Sequence, residues 1–288
     1  MSKKPHSVPL TKDQVFALVD AIALNEELTL STSAYEDKKD EWIFEANCDG
    51  PPDIEKFCEI ALETLGGKVQ FSAEKIDPEI DWIARSLKDL KPVTAGGFYI
   101  YASHNEEKPP KGTIPILIEA AQAFGTGHHQ TTSGCLMAIY KVLKTSTPQK
   151  TIDIGTGTGV LAIALSKRLQ RQIIASDIDP VAIKTTSDNA ELNNVKKWIK
   201  PILAEGLNNS EIVDNGPYDL IVANILAAPL VEMAPKIAEM ANKGASIILS
   251  GILTTQAEKI ITACAEQQIA LDQRIILGEW STLVFEKL

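Results

Sequence analysis

Cysteine, histidine and aromatic residues are scarce in this sequence, and it has no long apolar run. Its four cysteines, Cys48, Cys58, Cys135 and Cys264, are scattered with no CxxC pair, and there are only four histidines. This argues against a disulfide framework and a structural zinc centre, and points to a reducing, cytoplasmic setting. No apolar stretch approaches the roughly 18 residues that span a bilayer, so no membrane segment is expected. The opening MSKKPHSVPL has lysines but no apolar region behind them, which argues against a secretory signal. Repeats and low-complexity segments are also missing. What is present, 44% hydrophobic and 23% charged residues in a chain of 288, is the composition of a well-packed soluble protein of one large or two ordinary domains.

Charge is unevenly spread. Residues 1–104 hold 11 Lys+Arg against 19 Asp+Glu, whereas the remainder is nearly balanced at 17 against 19. An acidic face opposes nucleic acid, so no direct nucleic-acid binding is expected. It is compatible with a basic partner, or it serves only solubility.

Two textures divide the chain. Near the N-terminus, Thr11-Lys12-Asp13-Gln14 has the form of a capping box, followed by Val15, Leu18, Val19 and Ile22 at helical spacing. Residues 28–35 and 41–47 read as strands around a charged turn. Asp53 is placed to cap a second helix that ends at Gly66-Gly67, and Lys68–Phe71 alternates like a strand. The expectation is a small α+β domain over 1–87, then a linker over 88–113 containing one strand at Phe98–Ala102. From Ile114 onward, β-branched runs at 151–154, 172–176, 199–203, 218–224 and 245–250 alternate with helical patterns at 159–169, 180–193, 229–242 and 254–267. Strands of this kind with helical crossovers predict a mostly parallel, doubly wound α/β sheet over 114–288. Residues 269–287, with Gly278 between two strands and no helix, predict an antiparallel edge hairpin.

Within the second part, Thr151-Ile152-Asp153-Ile154 runs into Gly155-Thr156-Gly157-Thr158-Gly159 and then into the helix VLAIALSKRL. A strand, a glycine turn and a helix bring backbone N–H groups close to a ligand beyond the strand ends. The next strand ends on Asp177, 22 residues after Gly155, where a carboxylate can accept both hydroxyls of a ribose. Asp179, before Pro180, reads as a helix N-cap, which leaves Asp177 with no structural duty. The GxGxG spacing departs from the GxGxxG that suits a pyrophosphate. Asp153 beside the loop would repel a pyrophosphate but suits a cofactor bearing an ammonium and a sulfonium; alternatively it only bonds the loop backbone.

Strand 218–224 ends on Asn224, at the end of the sheet that faces ligands in this architecture. A neutral carboxamide can accept a hydrogen bond from an amine without the bias toward ammonium that a carboxylate imposes. Asn224 can equally be a strand terminator. Phe124–Thr132 (FGTGHHQTT) is the most unusual stretch. Thr131 or Thr132 can cap the helix that follows, whose N-terminus can receive a carboxylate. His128 and His129 have no third ligand at a useful spacing, so packing within the loop is their expected duty and no metal is expected.

AFGTGHHQTT, DIGTGTGVLAIA, ASDIDPVAI and VANILAAPL, in this order and spacing, resemble the ribosomal protein L-eleven methyltransferase (PrmA) family. The likeness is clear over 114–288, and the N-terminal unit is similar to that family's substrate-recognition domain in architecture. The chain departs from the family pattern at His128 and Gln130. The resemblance implies a Rossmann-like class I methyltransferase domain preceded by a small α+β recognition domain. It implies transfer of methyl groups from S-adenosyl-L-methionine to lysine side chains and the N-terminal α-amine of one large-subunit ribosomal protein. It also implies cofactor contacts at Thr132, Gly155, Asp177 and Asn224, the last near the target amine; Asp153 and Gly157 join them from the loop reading above. Three other readings compete: a nicotinamide oxidoreductase, a methyltransferase-like module that only binds, and a nucleic-acid methyltransferase. The last is opposed by the acidic N-terminal part and by Ile225-Leu226, where a base-stacking aromatic would be expected.

Overall fold

A capping box of the expected form starts the first helix. Gln14 N–H donates to Thr11 Oγ1 and Thr11 N–H to Gln14 Oε1, at 3.4 and 2.9 Å. These contacts come from a computed structural model that describes residues 10–23, 25, 28–29, 31–38, 41–48, 50–73, 92–105, 107–119 and 130–288. The chain forms two units, 1–80 and 81–288. In the first, α1 (Lys12–Ala23) and α2 (Ile54–Leu65) accompany an antiparallel pair, β1 (Ser31–Lys38) and β2 (Glu41–Asn47). Asp53 caps α2, and Gly66 ends it in the left-handed conformation. Leu18 and Ile22 pack with Phe57, Ile60 and Ala61, and Phe44, Phe57 and Phe71 form a triad with centroids 5.6–6.5 Å apart. Residues 68–73 pair with no strand, contrary to the alternation there. Val69 and Phe71 pack their side chains on the small core, and the Val69 carbonyl accepts from the Cys58 thiol of α2 at 3.5 Å.

In the second unit, a three-stranded sheet of β3 (Val93–Ala95), β4 (Phe98–Tyr101) and β5 (Ile114–Leu117) comes first, then α3 (Gln130–Thr145). A seven-stranded sheet follows, built from β6 (Thr151–Ile154), β7 (Ile173–Asp177), β8 (Ile199–Leu203), β9 (Tyr218–Asn224), β10 (Ala241–Leu253), β11 (Ile269–Leu277) and β12 (Trp280–Lys287). Its order is β11-β12-β10-β9-β6-β7-β8, and only the pairings of β12 are antiparallel. The crossover helices are α4 (Val160–Leu169), α5 (Pro180–Leu192), the short α6 (Ser210–Asn215), α7 (Ala227–Met240) and α8 (Ala257–Ala265). Two apolar cores lie in this unit. One gathers Leu161, Ile163 and Val222 with Ile139; the other gathers Ile152, Ile221 and Ile247 with Ile237. The C-terminal hairpin forms as expected, but its second strand lies inside the sheet, between β10 and β11, and only β11 is the edge.

The expected linker is corrected at residues 93–101. Ala95, Phe98 and Ile100 are buried in the same core as Leu136 and Ile139 of α3. Gly96-Gly97 is the tight turn between β3 and β4. A Cβ on Gly96, at φ +54°, would sit 2.1 Å from the carbonyl oxygen of Leu136, so this turn is packed rather than hinged. The apolar pattern of FYIY carries this role, which the surrounding glycines and prolines mask in the sequence.

Gly96→Ala is therefore expected to destabilise the second unit by at least about 3 kcal/mol, combining left-handed strain with a backbone clash. Gly244, also at positive φ but with nothing within 4 Å of an added Cβ, should cost only about 1–2 kcal/mol as Ala. Urea unfolding of both variants checks the difference; equal costs would show that the turn is not packed on α3.

Candidate active site

The central strand β6 is buried over its whole length and ends in the glycine loop. Gly155, Gly157 and Gly159 have φ of 67°, 55° and 82°, a left-handed alternation that side chains with a Cβ resist. A Cβ at Gly155 would also meet Ile225 Cγ2 at 2.2 Å. The loop thus turns tightly under the exit of β9 and delivers Val160 to the start of α4.

Asp153, 1% exposed, stands one residue before the end of β6. Its Oδ2 accepts from the Thr156 hydroxyl at 2.8 Å and from Ala162 N–H at 3.1 Å. It therefore braces the loop and α4, and its other oxygen, Oδ1, has no partner among the described residues. Burial pushes its carboxyl up to about 7; the Thr156 and Ala162 hydrogen bonds oppose the rise and the charge of Asp177 adds to it.

Asp177 ends β7 beside the loop. The sequence reading left it without structural duty, and that is corrected. Its Oδ2 accepts from Gly157 N–H at 2.9 Å and its Oδ1 from Asp179 N–H at 3.0 Å. The cause is local: positive φ at Gly157 turns its N–H toward the end of β7, and Asp177 starts an Asx turn into α5. Each carboxylate oxygen keeps a second lone pair, so both can still accept from a ligand. Asp179 is the N-cap of α5, accepting from Val181 N–H at 2.7 Å.

Asn224 ends β9. Its Nδ2 donates to Thr132 Oγ1 at 3.3 Å, joining two positions 92 residues apart, while its buried Oδ1 has no partner. Thr132 is fully buried. The helix starts at Gln130, so Thr131 and Thr132 lie inside its first turn and neither is its N-cap. His128, His129 and the rest of 120–129 lie outside the described residues. The structure thus brings Thr132 to Asn224, and Gly157 to Asp177, while Asp153 lies beneath the loop that begins at Gly155.

Two sets of supporting residues escaped the sequence reading. Ser250 on β10 pairs with Asn224 in register, bonds Thr282 of β12 at 2.7 Å and donates to the Thr131 carbonyl. The inserted hairpin strand thereby holds the first turn of α3. The second set is on α5: Thr186 Oγ1 donates to the Gly157 carbonyl and Asn189 Nδ2 to the Thr158 carbonyl, at 3.0 and 2.9 Å. The recurrence of polar Thr186, Asn189 and Asn193 at helical spacing of three and four was the available signal.

Two unpartnered buried oxygens share one face at the ends of neighbouring strands. Asp153 Oδ1 lies in the last two residues of β6 and Asn224 Oδ1 at the end of β9, both on the side of Val222, while Ser176 Oγ of β7 points to the other face. A buried polar atom left unpaired costs about 1–3 kcal/mol, so a ligand that supplies partners here gains that energy. Two carboxylates and a carboxamide suit a cationic cofactor bearing ribose hydroxyls.

This sheet order, with a glycine loop after the central strand and an acid closing the next, defines a class I methyltransferase, a class whose cofactor is S-adenosylmethionine. Residues 16–288 match the family model described as Ribosomal protein L11 methyltransferase (PrmA), and the chain belongs to that family. It is 38% identical over 279 residues to the ribosomal protein L11 methyltransferase of Rhizobium leguminosarum bv. trifolii (strain WSM2304), covering 96% of this chain and 94% of that one. To the protein of the same name from Rhizobium meliloti (strain 1021) it is 39% identical over 283 residues, 96% of each. The crystal structure of ribosomal protein L11 methylase from Lactobacillus delbrueckii subsp. bulgaricus is similar with a TM-score of 0.63 and 29% identity. That match covers 69% of this chain and 99% of the other.

The raised pKa of Asp153 has a stability consequence. The unfolded chain releases this proton near the ordinary carboxyl value of 3.8 and the folded one at about 7, so the contribution is fully present below about 4 and is lost as pH rises to about 7. Asp153→Asn removes that dependence. Its stability relative to the parent should therefore rise between pH 4.5 and pH 7.5 in chemical unfolding. A constant difference across that range would show that Asp153 is ionised throughout.

Proposed function

We propose that this chain is a cytoplasmic S-adenosylmethionine-dependent protein methyltransferase, acting on lysine side chains and the N-terminal α-amine of ribosomal protein L11. The observation that carries the reading is the pair of unpartnered oxygens on one face at the ends of β6 and β9, Asp153 Oδ1 and Asn224 Oδ1, with Asn224 bonded to Thr132. Thr132, Asp153, Gly155, Gly157, Asp177 and Asn224 would hold the cofactor. S-adenosylmethionine, when bound, supplies an electrophilic methyl group on a sulfonium.

The remaining work falls to the chain. Asp177 offers its free lone pairs to hydroxyls, and the loop amides offer donors. Asp153 supplies negative charge against the cofactor's cationic end. An incoming lysine has an unperturbed pKa near about 10.4 and must shed a proton before its lone pair can react. Asn224 presents a carbonyl oxygen that can accept an N–H from the neutral amine, orienting the lone pair without favouring the ammonium. No helix among the described residues is long and apolar enough to cross a membrane.

Mass spectrometry of ribosomal proteins incubated with the enzyme and labelled cofactor tests the activity. In the same assay, Asn224→Asp should keep cofactor affinity within a few-fold, since the Thr132 hydroxyl can reverse and donate. Its turnover should fall at least about tenfold, because even one unit of pKa bias toward ammonium is a factor of ten. The parent's rate should rise with pH as the amine deprotonates. Full turnover by the variant would reduce Asn224 to a strand terminator.

The first unit is the candidate for recognising a basic protein, with 17 Asp+Glu against 8 Lys+Arg over residues 1–80. Because β3 and β4 belong to the core of the second unit, the cut that separates the roles lies at 80 and not at 104. Deleting residues 1–80 should leave S-adenosylmethionine binding nearly intact and abolish methylation of the ribosomal protein. Methylation by residues 81–288 as fast as by the full chain would end this division of labour.

A further inference from the structure

The buried face of α5 carries more polar groups than a crossover helix needs. Thr186, Asn189 and Asn193, at spacings of three and four, lie on one face and are 0%, 1% and 7% exposed. Burying carboxamides is unfavourable unless their hydrogen bonds are met, and here both are met by main chain. Asn193 Oδ1 accepts from Leu117 N–H at 3.0 Å while its Nδ2 donates to the Leu117 carbonyl at 2.6 Å, as a neighbouring strand would. Two residues on, Asn189 Oδ1 accepts from Glu119 N–H at 3.0 Å. The side chains of α5 thus continue the pairing of β5 past its last strand residue, as far as the start of residues 120–129.

Asn189 differs from Asn193 in its second bond. Its Nδ2 reaches the Thr158 carbonyl in the glycine loop, next to the Gly157 carbonyl held by Thr186. One carboxamide therefore joins two separate stretches of main chain, the glycine loop on one side and the approach to 120–129 on the other. Asn193 ties only Leu117 and its own helix.

We propose that Asn189 is a positioning residue that couples the glycine loop to residues 117–119, so that cofactor binding at the loop orders the main chain just past β5. This rests on the cofactor reading given above. A cofactor that fixes Thr158 fixes the carbonyl to which Asn189 is bonded, and Asn189 in turn fixes Glu119. Rigid pairing through a single buried group transmits order over this distance without any change of fold.

The test uses the full-length protein and S-adenosylhomocysteine as probe, with calorimetry for affinity and hydrogen exchange for order. In the parent, the probe should slow exchange at residues 117–119 as well as at 155–159. Asn189→Ala should raise Kd about tenfold and abolish the slowing at 117–119, while 155–159 still responds. Asn193→Ala should lower the melting temperature at least as much, yet keep Kd within about twofold and the probe's effect on Glu119. Should Asn189→Ala fail to fold, Asn189→Asp keeps the acceptor for Glu119 and, when ionised, sets a carboxylate oxygen against the Thr158 carbonyl in place of the donor; at a pH where it is ionised it should show the same uncoupling. If 117–119 responds equally in parent and Asn189 variants, or if Asn193→Ala weakens binding as much as Asn189→Ala, the proposal is wrong. A parent that binds no S-adenosylhomocysteine would overturn the cofactor reading instead.

Discussion

A carboxylate buried to 1% exposure at the end of the central strand sets the terms for the second unit. Asp153 reaches past the glycine loop to the N–H of Ala162, so β6 and α4 are joined by one side chain as well as by the loop. The N-terminal turn of α4 has N–H groups that its own helix cannot satisfy, and a carboxylate there answers both that need and the helix dipole. The loop has then to fit between two fixed ends, which explains the alternating left-handed glycines and the contact of Gly155 with Ile225. The energetic tension is that Asp153 is held where ionisation is unfavourable. Burial raises its pKa to about 7, so at neutral pH a cation arriving nearby relieves a penalty already built into the fold.

Around this junction, polar side chains rather than apolar packing fix the pieces that must meet. Ser250 and Thr282 hold the first turn of α3, which brings Thr132 to Asn224. Thr186 and Asn189 of α5 hold the loop carbonyls. Apolar contacts tolerate sliding, since dispersion has little direction, whereas a buried hydrogen bond loses about 1–3 kcal/mol when its partner moves away. Side chains in this region are therefore set by bonds that have one good geometry.

Much of this was legible in the sequence where the signal is local. The strands of the large sheet, the glycine loop, the Asp179 cap and the Thr11–Gln14 box follow from neighbouring residues, and each lies close to where its pattern put it. What was not legible depends on contacts distant in sequence. Nothing near Phe98 says that FYIY will pack on α3, and the glycines beside it read as a linker. Nothing near Trp280 says that the second strand of the hairpin, and not the first, will pair with β10. Asp177 was read as idle because its partners, Gly157 and Asp179, are revealed only once the loop's dihedral angles are known. On α5, Asn189 and Asn193 drew no reading from the sequence, since the main chain they bind lies 31 to 76 positions away.

The charges of the site explain why a carboxamide stands at the end of β9. Asp153 and Asp177 lie on β6 and β7, on the loop side, where negative charge suits a cationic cofactor. A third acid at 224 would be only partly buried as a residue, but one of its oxygens would take the buried place of Asn224 Oδ1. If it stayed protonated it would donate a proton where an amine must donate, and if it ionised it would hold the amine as ammonium, which has no lone pair to offer. Both outcomes oppose transfer. A neutral acceptor escapes the conflict, and the Thr132 hydroxyl fixes which way it faces by taking its NH2 and leaving Oδ1 without a protein partner. On the proposed reading the division runs along the strand order: the acids on β6 and β7 would serve the cofactor, and the amide on β9 the acceptor. The glycine loop, passing beneath Ile225, keeps the two within reach of one another.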